Sequence, residues 1–203
     1  MASVLLQMPN WCNNTITITH PDPVKLEALA AAVREGKFCN FIHPVPEDLH
    51  ITAGREGSDD DPKQIALEAK EKSNREKYGY ANWYDFCVNE WGTKWDVDAY
   101  EGEDVKVEDG KLSFGFDSAW APPINLYEKM FEQGYNLKAF YWEPGMCFCG
   151  KFDADGDDYY DYSNMKAAEL REEIDPELDE VMAITEGLEQ WEEENKEEEN
   201  EED

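Results

Sequence analysis

Val105-Lys106-Val107-Glu108-Asp109-Gly110-Lys111-Leu112-Ser113-Phe114-Gly115-Phe116 is two alternating runs of apolar and polar residues separated by Asp-Gly. An Asp-Gly pair between strands predicts a two-residue type I′ turn, because both central residues must take positive φ. That turn sets Val107 opposite Leu112 and Val105 opposite Phe114, all on one face. The stretch therefore reads as a β-hairpin with one covered face.

Working outward from the hairpin, Thr15-Ile16-Thr17-Ile18-Thr19 alternates β-branched residues with period two and predicts a half-buried strand, with the alternation starting at Asn14. Asp22 follows as an N-cap with Pro23 at the first helical position. Leu26, Leu29, Ala30 and Val33 then recur at helical spacing until Gly36. Phe38 to His43 predicts a second short strand ended by Pro44 and Pro46. Residues 52–61, rich in Gly and Asp, predict a loop, and 62–77 and 80–91 predict two helices packed as an insertion on one side of the sheet. Beyond the hairpin, Pro122-Pro123 opens a helix whose Ile124, Tyr127 and Phe131 face inward and which Gly134 closes. Residues 137–142 and 146–152 predict strands, and Asp155-Gly156 turns into a further strand over 159–162. Asp175 caps a last helix begun by Pro176, whose Leu178, Val181, Met182, Leu188 and Trp191 keep one apolar stripe that docks as far as Trp191.

The composition supports a folded body, with 41% hydrophobic and 13% aromatic residues in 203. No apolar run approaches the roughly 20 residues of a membrane span, and Val4, Leu5 and Leu6 lack the basic flank and the length of a signal sequence. The reading is a cytoplasmic protein of a bacterial host cell without membrane contact. Five cysteines, an odd number scattered through apolar stretches, read as reduced thiols rather than a disulfide framework.

The charge is the strongest functional lead. Against 18 Lys and Arg stand 48 Asp and Glu, a formal charge of -30. Of these acids, 15 lie from Asp175 onward, beside the single base Lys196. Such a chain repels nucleic acid and anionic membrane and attracts surfaces built to hold them. Were residues 175–203 one helix, a rise of about 1.5 Å per residue would place those acids roughly every 3 Å, close to the ~3.4 Å charge spacing of one DNA strand. The competing reading is a solvated run that keeps the protein soluble.

Other motifs carry less. The Asp153-Ala154-Asp155-Gly156-Asp157-Asp158 run lacks the sixth-position Gly and twelfth-position Glu of a calcium loop and reads as a hairpin turn. Cys147 and Cys149, placed on one face of a predicted strand, lack the further ligands a zinc or iron–sulfur site needs. No phosphate loop, nucleophile elbow or HExxH occurs, so no catalytic residue, metal ligand or cofactor is assigned. Trp83, Trp91, Lys94 and Trp95 form a candidate base-stacking surface, although aromatics at such a junction also read as core with Lys94 laid over an indole.

Met8-Pro9-Asn10-Trp11-Cys12-Asn13-Asn14, Phe41-Ile42-His43-Pro44-Val45-Pro46, the stretch from Trp83 to Trp95 and Ala119-Trp120-Ala121-Pro122-Pro123, in that order, resemble the YubB-like family of phage and plasmid proteins with a ferredoxin-like domain. The resemblance covers roughly residues 8–157. It implies a β-α-β-β-α-β sandwich, a start at Met8, and an accessory gene of a mobile element, and it carries over no catalytic residue. The acidic segment after Tyr162 lies outside the pattern.

The combined expectation is an α+β chain. Residues 1–7 form a leader and 8–162 a ferredoxin-like split β-α-β sandwich with a helical insertion over about 52–91. C-terminal helices over 163–191 pack on that domain, and 192–203 form an acidic tail. The leading functional expectation is a non-enzymatic phage or plasmid protein and possible anti-defence inhibitor, a DNA mimic that binds a host protein with a basic or nucleic-acid-binding surface. The residues expected to make that contact are Glu189, Glu192, Glu193, Glu194, Glu197, Glu198, Glu199, Glu201, Glu202 and Asp203. The alternatives are a single-stranded nucleic-acid-binding module using Trp83, Trp91, Lys94 and Trp95, and an enzyme of unrecognised type with a polar pocket near Asn13, His43 and Trp91. The sequence leaves the oligomeric state open.

Overall fold

A computed structural model describes residues 10–201, with side chains described as far as residue 194. Strands β1 (Trp11–Thr19), β2 (Val107–Glu108), β3 (Lys111–Ala119), β4 (Asn136–Glu143), β5 (Phe148–Asp153) and β6 (Gly156–Asp161) form one antiparallel sheet in the order β2-β3-β1-β4-β5-β6. Helices α1 (Pro23–Arg34), α2 (Phe38–Ile42), α3 (Pro62–Tyr78) and α4 (Trp83–Glu90) lie between β1 and β2, and α5 (Ile124–Glu132) joins β3 to β4. The chain then continues into α6 (Ala167–Glu173), α7 (Pro176–Met182) and α8 (Ile184–Glu201). The fold is α+β. None of the described helices is long and apolar enough to cross a membrane.

The opening hairpin forms in the expected register, Val107 opposite Leu112, with Asp109 at φ 50° and Gly110 at φ 74° as a type I′ turn requires. Its second pair does not form. The Val105 carbonyl instead accepts a hydrogen bond from Arg34 Nη1 at 2.7 Å, and farther along the outer edge of β3, Ala99 bridges Phe116.

Alternation gives the sheet two different faces. Ile16, Ile18, Leu112, Phe114, Phe116, Leu137 and Ala139 pack against Leu26, Leu29 and Val33 of α1 and Leu126, Tyr127 and Met130 of α5 in the main core. α4 adds Phe86 and Cys87 to the same layer. On the opposite face, Phe140, Cys149 and Tyr162 pack against Leu170, Ile174, Leu178 and Ile184 from α6–α8, which cover the β4–β6 half. Gly150 on β5 lets the Tyr141 hydroxyl pass over it to Asp157 at 2.7 Å; a Cβ at Gly150 would lie 2.1 Å from that oxygen.

Four expectations change. The run from Phe38 to His43 is helix α2, not a strand. Six apolar-rich residues suit either state, and the choice falls to Asp96, whose carboxylate accepts the first-turn N–H groups of Cys39 and Asn40 at 2.7 and 2.9 Å. The C-terminal segment is not one helix from Pro176. Ala183 takes a left-handed conformation at φ 53° and ends α7, and the Asp179 carboxylate accepts both the N–H and the hydroxyl of Thr185 to start α8. The helical axis assumed for the charge spacing from Asp175 is therefore broken. Trp191 itself is 61% exposed, but α8 docks through Ile184, Thr185 and Leu188 and through Glu189 and Glu192, so its contact with the body does extend as far as that residue. Cys147 lies in the left-handed turn before β5, at φ 56°, while Cys149 is on the strand. The first strand also begins at Trp11, three residues ahead of the expected start.

Candidate functional site

Three segments far apart in sequence carry exposed indoles to one end of the sheet. Trp11 opens β1, Trp120 follows the end of β3, and Trp95 lies in the loop after α4; they are 45%, 41% and 38% exposed. The Trp11 and Trp95 rings stand 6.1 Å apart. Lys94 Nζ lies 4.2 Å from the Trp95 ring, 5.4 Å from Trp120 and 5.8 Å from Tyr84, so one ammonium is held against three aromatic faces.

Buried hydrogen bonds fix all three segments. Thr93 Oγ1 accepts from Ala119 N at 3.0 Å and donates to Ala119 O at 3.2 Å, tying the Trp95 loop to the end of β3. Asn14 Nδ2 donates to Ser118 Oγ, and Ser118 Oγ to Ala121 O, at 2.9 and 2.7 Å. Trp120 N donates to Asn10 O at 2.9 Å, and Trp120 itself is held at φ 69°, a left-handed conformation costly for an aromatic residue. Gly92, at φ 88°, packs its α-carbon so closely that an added Cβ would meet Ile124 N at 3.3 Å. Trp95 also lines a groove of about 310 Å³, together with apolar Val45, Trp83, Cys87 and Trp91 and polar side chains that include Lys94 and Asp96.

The four expected stacking residues therefore separate. Trp95 is exposed, Lys94 and Trp83 are half-buried, with Trp83 against the main core, and Trp91 is 3% exposed with its Nε1 donating to His43 O at 2.8 Å. Trp11, Trp120 and Tyr84 complete the cluster. Each stands in a stretch of sequence already singled out, but only the sheet register places them side by side.

The residues considered for an enzyme are split. Asn13 donates to Asp117 on the face opposite the main core, whereas His43 and Trp91 meet on the core side. His43 belongs to a charged knot in which Glu90 accepts from Lys129 at 2.7 Å and from the Tyr80 hydroxyl, while His43 Nε2 lies 3.2 Å from Glu90 and its ring stacks on Phe86. The knot joins the end of α2 to α4 and α5. Among the described residues no group of three or more His, Cys, Asp or Glu is placed to hold a metal ion. The 153–158 run forms the β5–β6 turn, with Lys151 Nζ 2.7 Å from Asp175 and 3.6 Å from Asp158.

The acidic residues fall into three groups. Glu189 pairs with Arg171 at 2.9 Å, and Glu192 accepts the Ala167 N–H at 2.9 Å, so both hold α8 against α6. Glu193 is exposed, and Glu194 accepts from Gln190 at 2.9 Å. Glu197, Glu198, Glu199 and Glu201 continue the backbone of α8, and Glu202 and Asp203 lie outside the described residues.

No family model and no curated protein matches the chain. Among solved structures, the crystal structure of protein api92 from Yersinia pseudotuberculosis, family model DUF1281, aligns at 11% identity. The alignment has a TM-score of 0.38 and covers 75% of this chain and 98% of that one. A likeness of that size carries no argument about fold or activity.

Proposed function

We propose that the protein is a non-enzymatic accessory protein of a phage or plasmid that acts in the host cytoplasm by binding a host protein with a basic, nucleic-acid-handling surface. Support for the sheet as a ferredoxin-like unit comes from the order β2-β3-β1-β4, with α1 and α5 on one face, which is the order a split β-α-β plait requires. Strands β5 and β6 extend its β4 edge.

The observation that carries the binding reading is α8. This helix holds nine glutamates and one lysine in 18 residues, and Glu189 and Glu192 anchor its first half to the body. At about 1.5 Å per residue its glutamate positions recur roughly every 3 Å of helix axis. A phosphate-binding groove meets a comparable line of charge on one DNA strand. The partner surface then begins at Glu193, because Glu189 and Glu192 are engaged inside the molecule.

The test keeps those two anchors and replaces Glu193, Glu194, Glu197, Glu198 and Glu199 by Gln. From host lysate, the unaltered protein is expected to retain a DNA- or RNA-binding protein at low salt and to lose it steeply as salt rises past about 0.2 M. The substituted protein is expected to retain none. Equal recovery by both would move the contact to the folded body and sink this reading.

A further inference from the structure

The two edges of the sheet are treated differently. Along β3, beyond the two-residue strand β2, the chain covers its own edge: Tyr100 N donates to Gly115 O at 2.9 Å, the Glu103 carboxylate accepts the Gly115 N–H at 2.9 Å, and Ala99 bridges Phe116. The edge formed by β6 has no such cover among the described residues. Tyr162 N donates to Cys147 O at 2.9 Å, which sets the alternation of the β5–β6 ladder. Asp158 and Tyr160 turn their main-chain groups to β5, and Asp157, Tyr159 and Asp161 turn theirs outward. All three outward residues are exposed, Tyr159 at 56%. Strand β6 thus presents a row of open N–H and C=O groups, the template on which another strand adds.

We infer that the β6 edge takes up an extended, basic segment of a partner protein as an added strand. Main-chain hydrogen bonds supply the docking geometry, and alternate side chains supply the choice of partner. Here that choice is electrostatic. The β5–β6 hairpin carries Asp153, Asp155, Asp157, Asp158 and Asp161 against one cation, Lys151, which already lies 2.7 Å from Asp175. Asp157 is held by the neutral Tyr141 hydroxyl and Asp161 by the Ser163 N–H, and neither contact brings a cation to the edge. The same charges exclude a second copy of the chain. Antiparallel pairing centred on Tyr159 would set Asp157 of each copy opposite Asp161 of the other, and like charges directly opposite destabilise a strand pair. A nucleic-acid strand is excluded by the same sign. An incoming strand with Lys or Arg facing Asp157 and Asp161, and an apolar residue facing Tyr159, turns each of those repulsions into an attraction.

The contact uses none of the α8 glutamates, so its failure leaves the α8 reading standing, and the reverse holds too. The full chain is titrated with a capped Thr-Lys-Thr-Val-Thr-Lys-Thr peptide and with its counterpart carrying Glu in place of Lys, while amide hydrogen exchange and calorimetric heat are followed. The lysine peptide is expected to bind saturably, more weakly as salt rises, and to slow exchange at the Asp157, Tyr159 and Asp161 amides. Tyr159→Pro removes the central outward N–H at a position where the fold itself does not use it. Tyr159→Ala removes the same ring but keeps that N–H, so the proline variant should bind about tenfold or more weaker than the alanine variant, with urea midpoints showing that both are folded. Asp157→Asn together with Asp161→Asn keeps the hydrogen-bond acceptors and should erase the preference for the lysine peptide. Four results would each overturn the inference: no saturable binding of the lysine peptide at millimolar concentration, equal binding of the glutamate peptide, equal affinity in the folded proline and alanine variants, or a dimer in sedimentation that Tyr159→Pro dissociates.

Discussion

His43 shows how one residue couples burial to pH. Its imidazole is held below the ordinary 6.5, first by burial and then by the Lys129 ammonium, against the opposing pull of Glu90 and Glu132. Folded His43 therefore takes up its proton at lower pH than the unfolded chain does. The neutral ring's contribution to stability is present above about pH 6.5 and is lost as pH falls below it, because the unfolded state protonates first. Glu90 acts in the same direction: burial alone would raise its carboxyl, but Lys129, Tyr80 and His43 together hold it below the ordinary value. Its contribution is lost at still lower pH. Urea midpoints measured from pH 7.5 to 5 should fall in the parent and fall less in His43→Gln; identical slopes would remove His43 from the acid response. The pairing was not legible in the sequence, since His43 and Glu90 are 47 positions apart and a chain with 48 acids offers many partners.

At the scale of elements, local chemistry was legible wherever turn and cap residues are unambiguous. Asp109-Gly110 gave the hairpin, and Asp22-Pro23 and Asp61-Pro62 start α1 and α3 with capping bonds to Val24 and Lys63. Legibility failed where a distant group decides. Helix α2 depends on Asp96, 57 and 56 positions away, and the break between α7 and α8 sits at an alanine that carries no breaking signal of its own. Ala183 adopts the left-handed conformation because doing so turns α8 back onto α6, where Arg171 reaches Thr185 and Glu189. Glycine takes that conformation at less cost, so Ala183→Gly should stabilise the protein by roughly 0.5–1 kcal/mol. Chemical denaturation would register this as a higher midpoint at unchanged slope; a lower midpoint would mean that the Ala183 methyl makes packing contacts worth more than the strain.

For the whole molecule, a charge of -30 acts against compactness. Most basic side chains that meet carboxylates do so at the surface, where pairs such as Lys37–Glu35 and Lys106–Asp104 contribute little. Screening should then stabilise the fold. The melting temperature is expected to rise by several degrees between about 0.01 and 0.2 M NaCl, and a flat or falling profile would show that the ion pairs outweigh the self-repulsion.

The sequence alone determined the α+β character, the hairpin register, the first helix and the acidic excess, because these depend on residue period, turn stereochemistry and composition, all local or additive. Tertiary structure decided α2, the turn at Ala183, the recruitment of Glu189 and Glu192 as anchors, and the meeting of Trp11, Trp95 and Trp120 around Lys94. Those features depend on hydrogen bonds and contacts between positions many residues apart, which exist only once the sheet order β2-β3-β1-β4 has brought the strand ends together.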